Sequence, residues 1–139
     1  MNEYLFSNIE TGMEESFNTL ITEDFMNSFR NITKDTNPLH LDEDFAKSKG
    51  HKDKVVFGML TASFFSTLAG VYMPGKHSLI HSVDTKFLNP VYVGDELTIT
   101  GKVKEKNDLF HFIVISAVIK NQHNEKVCKA IMKVGIDNG

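Results

Sequence analysis

The pattern of apolar and polar positions divides the chain into a mainly helical first half and a strand-rich second half. After Thr22 apolar side chains recur at helical spacing, at Phe25, Met26, Phe29 and Ile32. Thr22 is a good helix cap, and Pro38 interrupts any helix that reaches it, so we expect a helix between these two residues. Asp42 is the expected cap of a further short helix over 43–48.

The longest uncharged stretch runs from residue 55 to residue 75. Its length approaches that of a membrane span, but it contains four serines and threonines, three glycines and a proline. A helix that is apolar on nearly every side also suits the centre of a soluble fold. We therefore expect a buried central helix from about Gly58 to Tyr72, and no membrane association.

The second half of the chain alternates in the manner of β-strands. In "DELTITGKVKE" the apolar residues Leu97, Ile99 and Val103 share one face. "HFIVISAVI" is apolar on both faces, which predicts a strand covered on both sides. We predict two further strands at "SLIHSVDTKFL" and "KVCKAIMKV", and one strand before the helices at "GMEESFNTLIT". The order predicts an α+β fold across residues 1–139, with one antiparallel sheet wrapped around a long central helix.

Composition narrows the function classes. The net charge of −3 gives no basic surplus, so we expect no nucleic-acid partner. Cys128 is the only cysteine and lies in an apolar stretch, which excludes an intramolecular disulfide and indicates a core residue. The histidines have no metal-ligand spacing, so no metal is expected. The N-terminus lacks the features of a signal peptide, which predicts a cytoplasmic protein.

The stretch "TKDTNPLHL" holds the candidate chemistry: an acid, an amide, a proline and a histidine within six residues, Asp35, Asn37, Pro38 and His40. A solvated turn has this composition, and so does half of an acid/base site. An imidazole exchanges protons near neutral pH, and a sufficiently buried carboxyl group donates one. Asn37 is suited to hydrogen-bond the backbone of the turn, and Pro38 stiffens it.

"FRNITKDTNPLHLDEDFA", followed by "VVFGMLTASFFSTLAG", resembles the MaoC-like (R)-specific enoyl-CoA hydratases. "MPGKHSLIHSVDTKFLNPVYVGDELTI" extends the resemblance over about residues 20–136. It implies a hotdog fold and the hydration of trans-2-enoyl thioesters to (3R)-hydroxyacyl thioesters, or the reverse dehydration, without a cofactor. It also implies a homodimer formed by joining sheets edge to edge. The thioester carrier is either coenzyme A or an acyl carrier protein.

The resemblance assigns roles to four residues. Asp35 and His40 form the acid/base dyad that acts through one water, and which of them moves which proton stays open. The backbone N–H of Gly58, at the start of the central helix, donates to the thioester oxygen. Ser66 either hydrogen-bonds the dyad or water, or faces its own helix backbone.

Two departures from the family pattern bear on the substrate. Phe57 stands where the family often has histidine, and Lys34 replaces a residue that is usually small, commonly glycine.

Two rival functions are a hotdog thioesterase and a non-catalytic acyl-binding or assembly subunit. The central helix has no Asp or Glu, which argues against the thioesterase, and the intact dyad argues against the binding subunit. Three lysines are candidates for a basic rim around the carrier, or for solvated surface: Lys52, Lys54 and Lys76.

Overall fold

The computed structural model describes residues 1–137, which contain one five-stranded antiparallel sheet. Its strands are β1 (Glu14–Leu20), β2 (Ser78–Phe87), β3 (Glu96–Asn107), β4 (Phe112–Lys120) and β5 (Lys126–Ile136). Their order in the sheet is β1-β3-β4-β5-β2, so β2 and β1 are the two edge strands. The five predicted strands are confirmed.

Four α-helices lie between β1 and β2: α1 (Glu23–Thr33), α2 (Pro38–Leu41), α3 (Glu43–Ser48) and α4 (Gly58–Thr67). A π-helical turn, Leu68–Tyr72, continues α4, so the predicted central helix is present with a wider last turn. Thr22 caps α1 by accepting a hydrogen bond from the Phe25 N–H, and Asp42 caps α3. A 3₁₀ turn, Phe6–Asn8, precedes β1.

The core lies between α4 with its π-helical turn and the concave face of the sheet. The inward residues of β3 and β5 are buried as the alternation predicts: Leu97, Ile99, Val103, Cys128, Ala130, Met132 and Val134. Gly101 allows the closest approach of helix to sheet, because a Cβ there would lie 2.8 Å from Leu68 Cδ2. The α+β architecture, with an antiparallel sheet around a central helix, is confirmed.

One local prediction needs correction. The second face of β4 is only half-buried, because no element packs over Val114 and Val118 on that side of the described chain. Pro38 occupies the first position of α2, where its missing N–H costs no hydrogen bond, and its stiffening of the turn stays a prediction. Within residues 1–137 no helix is both long and apolar enough to cross a membrane.

Candidate active site

A cleft of about 1000 Å³ lies between α4 and the edge strand β2. The register of β2 on β5 places Val83 opposite Met132 and Thr85 opposite Ala130, and both β5 residues face the core. Val83 and Thr85 therefore point to the concave side of the sheet and form one wall of the cleft. α4 contributes Gly58, Ala62 and Ser66 to the lining of the same cleft.

The turn between α1 and α2 carries the candidate carboxylate. α1 ends at Thr33, and the residue that caps it, Lys34, has a left-handed backbone with φ 61°. The carboxylate of Asp35 accepts a hydrogen bond from the Asn37 N–H (3.1 Å), and the Asn37 side chain accepts one from the Leu39 N–H (3.0 Å). Side chains of the motif thus fold their own turn and start α2 at Pro38. Asp35 is left half-buried in the wall of the cleft.

His40, on α2, is held on two sides. Its Nδ1 lies 2.7 Å from the carbonyl oxygen of Val55, and the Val55 N–H donates to the carbonyl of Leu39 (3.1 Å). The ring of Phe57 packs 4.3 Å from the imidazole and 4.9 Å from the ring of Phe29. Phe57 is only 1% exposed, so the residue that replaces the usual histidine is a buried aromatic support for His40.

Gly58 is the first residue of α4, where backbone N–H groups lack a partner within the helix. Within residues 1–137 its N–H makes no hydrogen bond. The ring of Phe87, at the end of β2, lies 3.2 Å from the position that a Gly58 Cβ would occupy. An unoccupied N–H at the positive end of a helix is therefore available beside His40 in the wall of the cleft.

Two serines of α4 line the cleft, and their hydroxyls differ. Ser63 donates to the carbonyl of Leu60 in its own helix at 2.6 Å. The hydroxyl of Ser66 makes no hydrogen bond to any residue of the described chain. Of the two alternatives weighed for Ser66, the bond to its own backbone is absent here and is made by Ser63 instead.

The cleft brings together four predicted site residues that three separate segments carry: Asp35, His40, Gly58 and Ser66. Asn37 and Pro38 do not line it and shape the turn behind it. Lys34 is exposed and lies outside the lining. The sequence reasoning missed Ser63 and Phe87. The spacing of four residues between Gly58, Ala62 and Ser66 indicates that they share one face of α4. It does not predict Phe87, which lies at the cleft because of the register of β2 in the sheet.

Comparison with known proteins finds similarity to one domain family. The family profile described as MaoC like domain matches residues 6–126. A curated (R)-specific enoyl-CoA hydratase from Rhodospirillum rubrum is 35% identical over 107 residues, covering 74% of this chain and 74% of that protein. A second, from Aeromonas caviae, is 45% identical over 71 residues, covering 51% of this chain and 53% of its own length.

The fold agrees as well. The solved structure described as an (R)-hydratase from A. caviae involved in PHA biosynthesis superposes with a TM-score of 0.88 at 29% identity. The superposition covers 93% of this chain and 98% of that one, which confirms the hotdog fold. With the family profile spanning most of the chain and a relative above 30% identity along most of its length, this chain belongs to the MaoC-like domain family.

Proposed function

We propose that the chain is a hydro-lyase that hydrates trans-2-enoyl thioesters to (3R)-hydroxyacyl thioesters, or catalyses the reverse dehydration. One observation carries the proposal: a single cleft is lined by a carboxylate, an imidazole and an unoccupied helix-terminal N–H, from Asp35, His40 and Gly58. The names of the relatives, (R)-specific enoyl-CoA hydratases, favour the same chemistry.

The hydrogen bond of His40 suggests how the water is activated. A carbonyl oxygen only accepts, so the contact with Val55 requires the proton of a neutral imidazole to reside on Nδ1. The other ring nitrogen, Nε2, then carries the lone pair and is the basic atom. In hydration, the water oxygen bonds to Cβ while one water proton passes to Nε2 of His40.

Asp35 is the second member of the dyad. Its Oδ1 is engaged by the Asn37 N–H, which fixes the carboxyl group and leaves Oδ2 for water or a proton. The dyad donates a proton to Cα as the new O–C bond forms at Cβ. The proton that His40 took from water then returns through the water site, which restores the starting protonation of the dyad. Addition from one side of the double bond gives one alcohol enantiomer.

Negative charge develops on the thioester oxygen during the addition. As water adds to Cβ, the double bond shifts toward an enolate, and the Gly58 N–H is in the position to stabilise it. The apolar part of the cleft accommodates the acyl chain against Phe65, Ile80 and Val83. A free serine hydroxyl, Ser66, is available to orient the water or the Asp35 carboxyl group.

The test is hydration of crotonyl-CoA, followed by loss of the enoyl-thioester absorbance, with product chirality read by an (R)-specific dehydrogenase. We expect turnover to the (R) alcohol and a loss of about 100- to 10,000-fold in Asp35→Asn and in His40→Ala. Asp42→Asn is the matched control, because it makes the same carboxylate-to-amide change at a helix cap outside the cleft. Circular dichroism checks folding in each variant.

The two rival functions make different predictions for this assay. A thioesterase would release free thiol, yet among residues 1–137 the only carboxylate that lines the cleft is Asp35, which lies on the α1–α2 turn and not on α4. A non-catalytic acyl-binding subunit would bind crotonyl-CoA without consuming it. Thiol release without hydration, or binding without turnover, would therefore replace the hydratase proposal.

We further propose that the chain acts in the cytoplasm as a homodimer, joined along the exposed edge strand β2. Its inward residues Val83 and Phe87 are 41% and 52% exposed, so the cleft wall is incomplete beside an unpaired strand edge. Sedimentation velocity on the chain alone is expected to give a dimer. A monomer with full hydratase activity would refute this assembly.

A further inference from the structure

The outer face of the sheet, which points away from α4, differs in charge from the rest of the chain. On β4, β5 and β2, the residues that alternate with the core positions point to this side, which we call the basic face. They include five lysines and one carboxylate: Lys86, Lys120, Lys126, Lys129, Lys133 and Asp84. The chain has 15 basic and 18 acidic side chains, so the rest of it keeps 10 basic and 17 acidic ones. Positive charge is therefore concentrated on one side of an otherwise acidic chain.

Four of these lysines face one another in pairs. Lys129 lies directly opposite Lys86 in the pairing of β5 with β2. Lys120 lies directly opposite Lys126 in the pairing of β4 with β5. Like charges directly opposite each other destabilise a sheet, so this arrangement costs stability in the isolated chain.

No carboxylate of the described chain neutralises the basic face. Within residues 1–137 none of its five lysines has a carboxylate oxygen within 4 Å. Lysines elsewhere do have such partners, since Lys54 pairs with Glu23 at 3.1 Å and Lys76 pairs with Glu3 at 3.3 Å. A bound anion would therefore relieve a repulsion that the fold itself leaves uncompensated.

Apolar side chains lie between the lysines of the basic face. Val118 is directly opposite Lys129, and Val114 is directly opposite Lys133. Ile131, between these two lysines on β5, is 52% exposed. The basic face thus combines a central apolar strip with flanking positive charge.

A hollow of about 280 Å³ lies within the basic face. Lys86, Lys129 and Ile131 are among the residues that line it, together with the side chain of Asp84. The carboxylate of an incoming side chain fits between the two ammonium groups, where the opposed lysine pair would hold it from both sides.

We propose that the basic face docks an amphipathic helix of a partner protein, with an apolar stripe flanked by aspartates or glutamates. The stripe packs on Val114, Val118 and Ile131, and a flanking carboxylate is bound between Lys86 and Lys129. The acidic remainder of the chain repels such a partner and steers it to this face. Docking leaves the cleft accessible, because the cleft is on the other side of the sheet.

Three other occupants fit the basic face less well. A second copy of the same face would bring lysines against lysines. Nucleic-acid bases stack on free aromatic rings, whereas the ring of Phe112 is covered by the ammonium of Lys133 at 4.1 Å. A membrane surface is contacted by apolar groups that project into it, but Val114 and Val118 are half-buried in the sheet.

Fluorescence anisotropy with a labelled synthetic helix of about 18 residues, leucine on one face and glutamate on both flanks, tests the proposal. We expect a Kd of about 10–100 μM. Lys86→Gln/Lys129→Gln is expected to weaken binding about 3- to 10-fold. Lys47→Gln/Lys49→Gln, which loses the same charge at α3, is the matched control and is expected to bind like the wild type. Both variants are expected to keep kcat and KM for crotonyl-CoA within about twofold.

Thermal unfolding gives a second readout that needs no partner. At low salt Lys86→Gln is expected to raise Tm by about 1–3 °C, because it removes one member of an opposed like-charge pair. Lys54→Gln, which removes a paired lysine, is expected to give no such rise. A lower Tm in Lys86→Gln would contradict the repulsion on which the proposal depends.

Four binding results would overturn the proposal. These are a Kd for the acidic helix above about 1 mM, equal binding of a helix with glutamine in place of glutamate, and equal losses in the two double variants. The fourth is tighter binding of phosphatidylserine vesicles or single-stranded RNA that is lost in Lys86→Gln/Lys129→Gln, which would assign the face to a lipid surface or to nucleic acid. Because turnover of crotonyl-CoA is measured separately, none of these results bears on the hydratase proposal.

Discussion

The carbonyl oxygen of Val55 lies 2.7 Å from Nδ1 of His40 and therefore determines which imidazole nitrogen carries the proton. Val55 belongs to the segment that leads into α4, and its own N–H is bonded to α2. The two segments that meet at the proposed reaction centre are thus tied together by one contact from the His40 side chain and one backbone hydrogen bond. The proposed proton acceptor, His40, and the N–H of Gly58 are placed by the same connection.

This contact predicts a difference between two variants of His40. Asparagine offers an amide N–H in place of Nδ1–H but has no titrating group, whereas alanine offers neither. We expect both variants to lose hydratase activity, and His40→Asn to be the more stable by about 1 kcal/mol. Urea denaturation and the crotonyl-CoA assay measure the two effects. Equal stability would mean that the bond to Val55 contributes nothing measurable to the fold.

The N–H of Gly58 can be removed without breaking α4, because Gly58 occupies the first helical position, where proline is accepted. Phe57, the residue before it, has φ −52° and ψ 124°, an extended conformation that is compatible with a proline at the next position. Gly58→Ala and Gly58→Pro both add carbon next to the Phe87 ring, but only proline lacks the N–H.

We expect kcat of Gly58→Pro to fall about 100- to 1000-fold below that of Gly58→Ala. The half-exposed Phe87 ring is able to shift by the few tenths of an ångström that an added Cβ requires, so Gly58→Ala serves as the control. Steady-state kinetics on both variants decide the matter. Similar kcat values would remove this N–H from the mechanism.

The two serines of α4 provide a matched pair. Ser66→Ala removes a hydroxyl that has no protein partner, and Ser63→Ala removes one that is bonded to the Leu60 carbonyl. We expect Ser66→Ala to lower kcat/KM roughly 3- to 10-fold with unchanged Tm, the effect of losing one hydrogen bond to substrate, water or dyad. Ser63→Ala is expected to keep kcat/KM within twofold. The reverse order would exclude Ser66 from the site.

Substitution of Lys34 should change the free energy of unfolding through the backbone conformation at this position. A non-glycine residue with φ 61° is strained by about 1–2 kcal/mol. Glycine avoids this strain, but part of the gain is lost because glycine has greater conformational freedom in the unfolded chain. We expect Lys34→Gly to raise the free energy of unfolding by about 0.5–1 kcal/mol and Lys34→Ala to give no such gain. Chemical denaturation of the three proteins tests this. A gain in the alanine variant would point to the lysine charge instead.

Cys128 should be chemically inert while the protein is folded. Burial raises the pKa of its thiol from the ordinary value of 9.0 to about 11, so at pH 8 about a thousandth is thiolate. We expect reaction with a thiol reagent at pH 8 only after unfolding by urea. The free energy of unfolding should correspondingly fall as the pH rises from about 9 toward 11, because the unfolded thiol ionises first. Rapid labelling of the native protein would contradict the buried placement.

Elements whose signals are local were predictable from the sequence. The alternation of Leu97, Ile99 and Val103 and the cap at Thr22 each depend on residues within a few positions of one another, and the structure agrees with both. The same holds for the turn of the motif, because the hydrogen bonds of the Asp35 and Asn37 side chains that fold it are formed within the motif.

Features that depend on distant contacts were not predictable. Phe87 reaches Gly58 only through the register of β2 on β5, and a single-residue slip would turn its ring away. The Thr61 hydroxyl is fully buried without a hydrogen-bond partner among the described residues, and this depends on packing around the start of α4 that the sequence of the helix does not reveal. The half-exposed second face of β4 likewise depends on which elements fold over the sheet.

The turn that carries Asp35 is folded by the side chains of its own motif, whereas the wall that would hold the acyl group belongs to a strand some forty residues further along the chain. Substitutions on the inner face of β2 are therefore free to reshape the cavity without disturbing the groups proposed to move protons. A chain built in this way can change its preferred acyl group by drift at the sheet edge while its chemistry stays fixed. Engineering for a new chain length would accordingly begin at Ile80 and Val83.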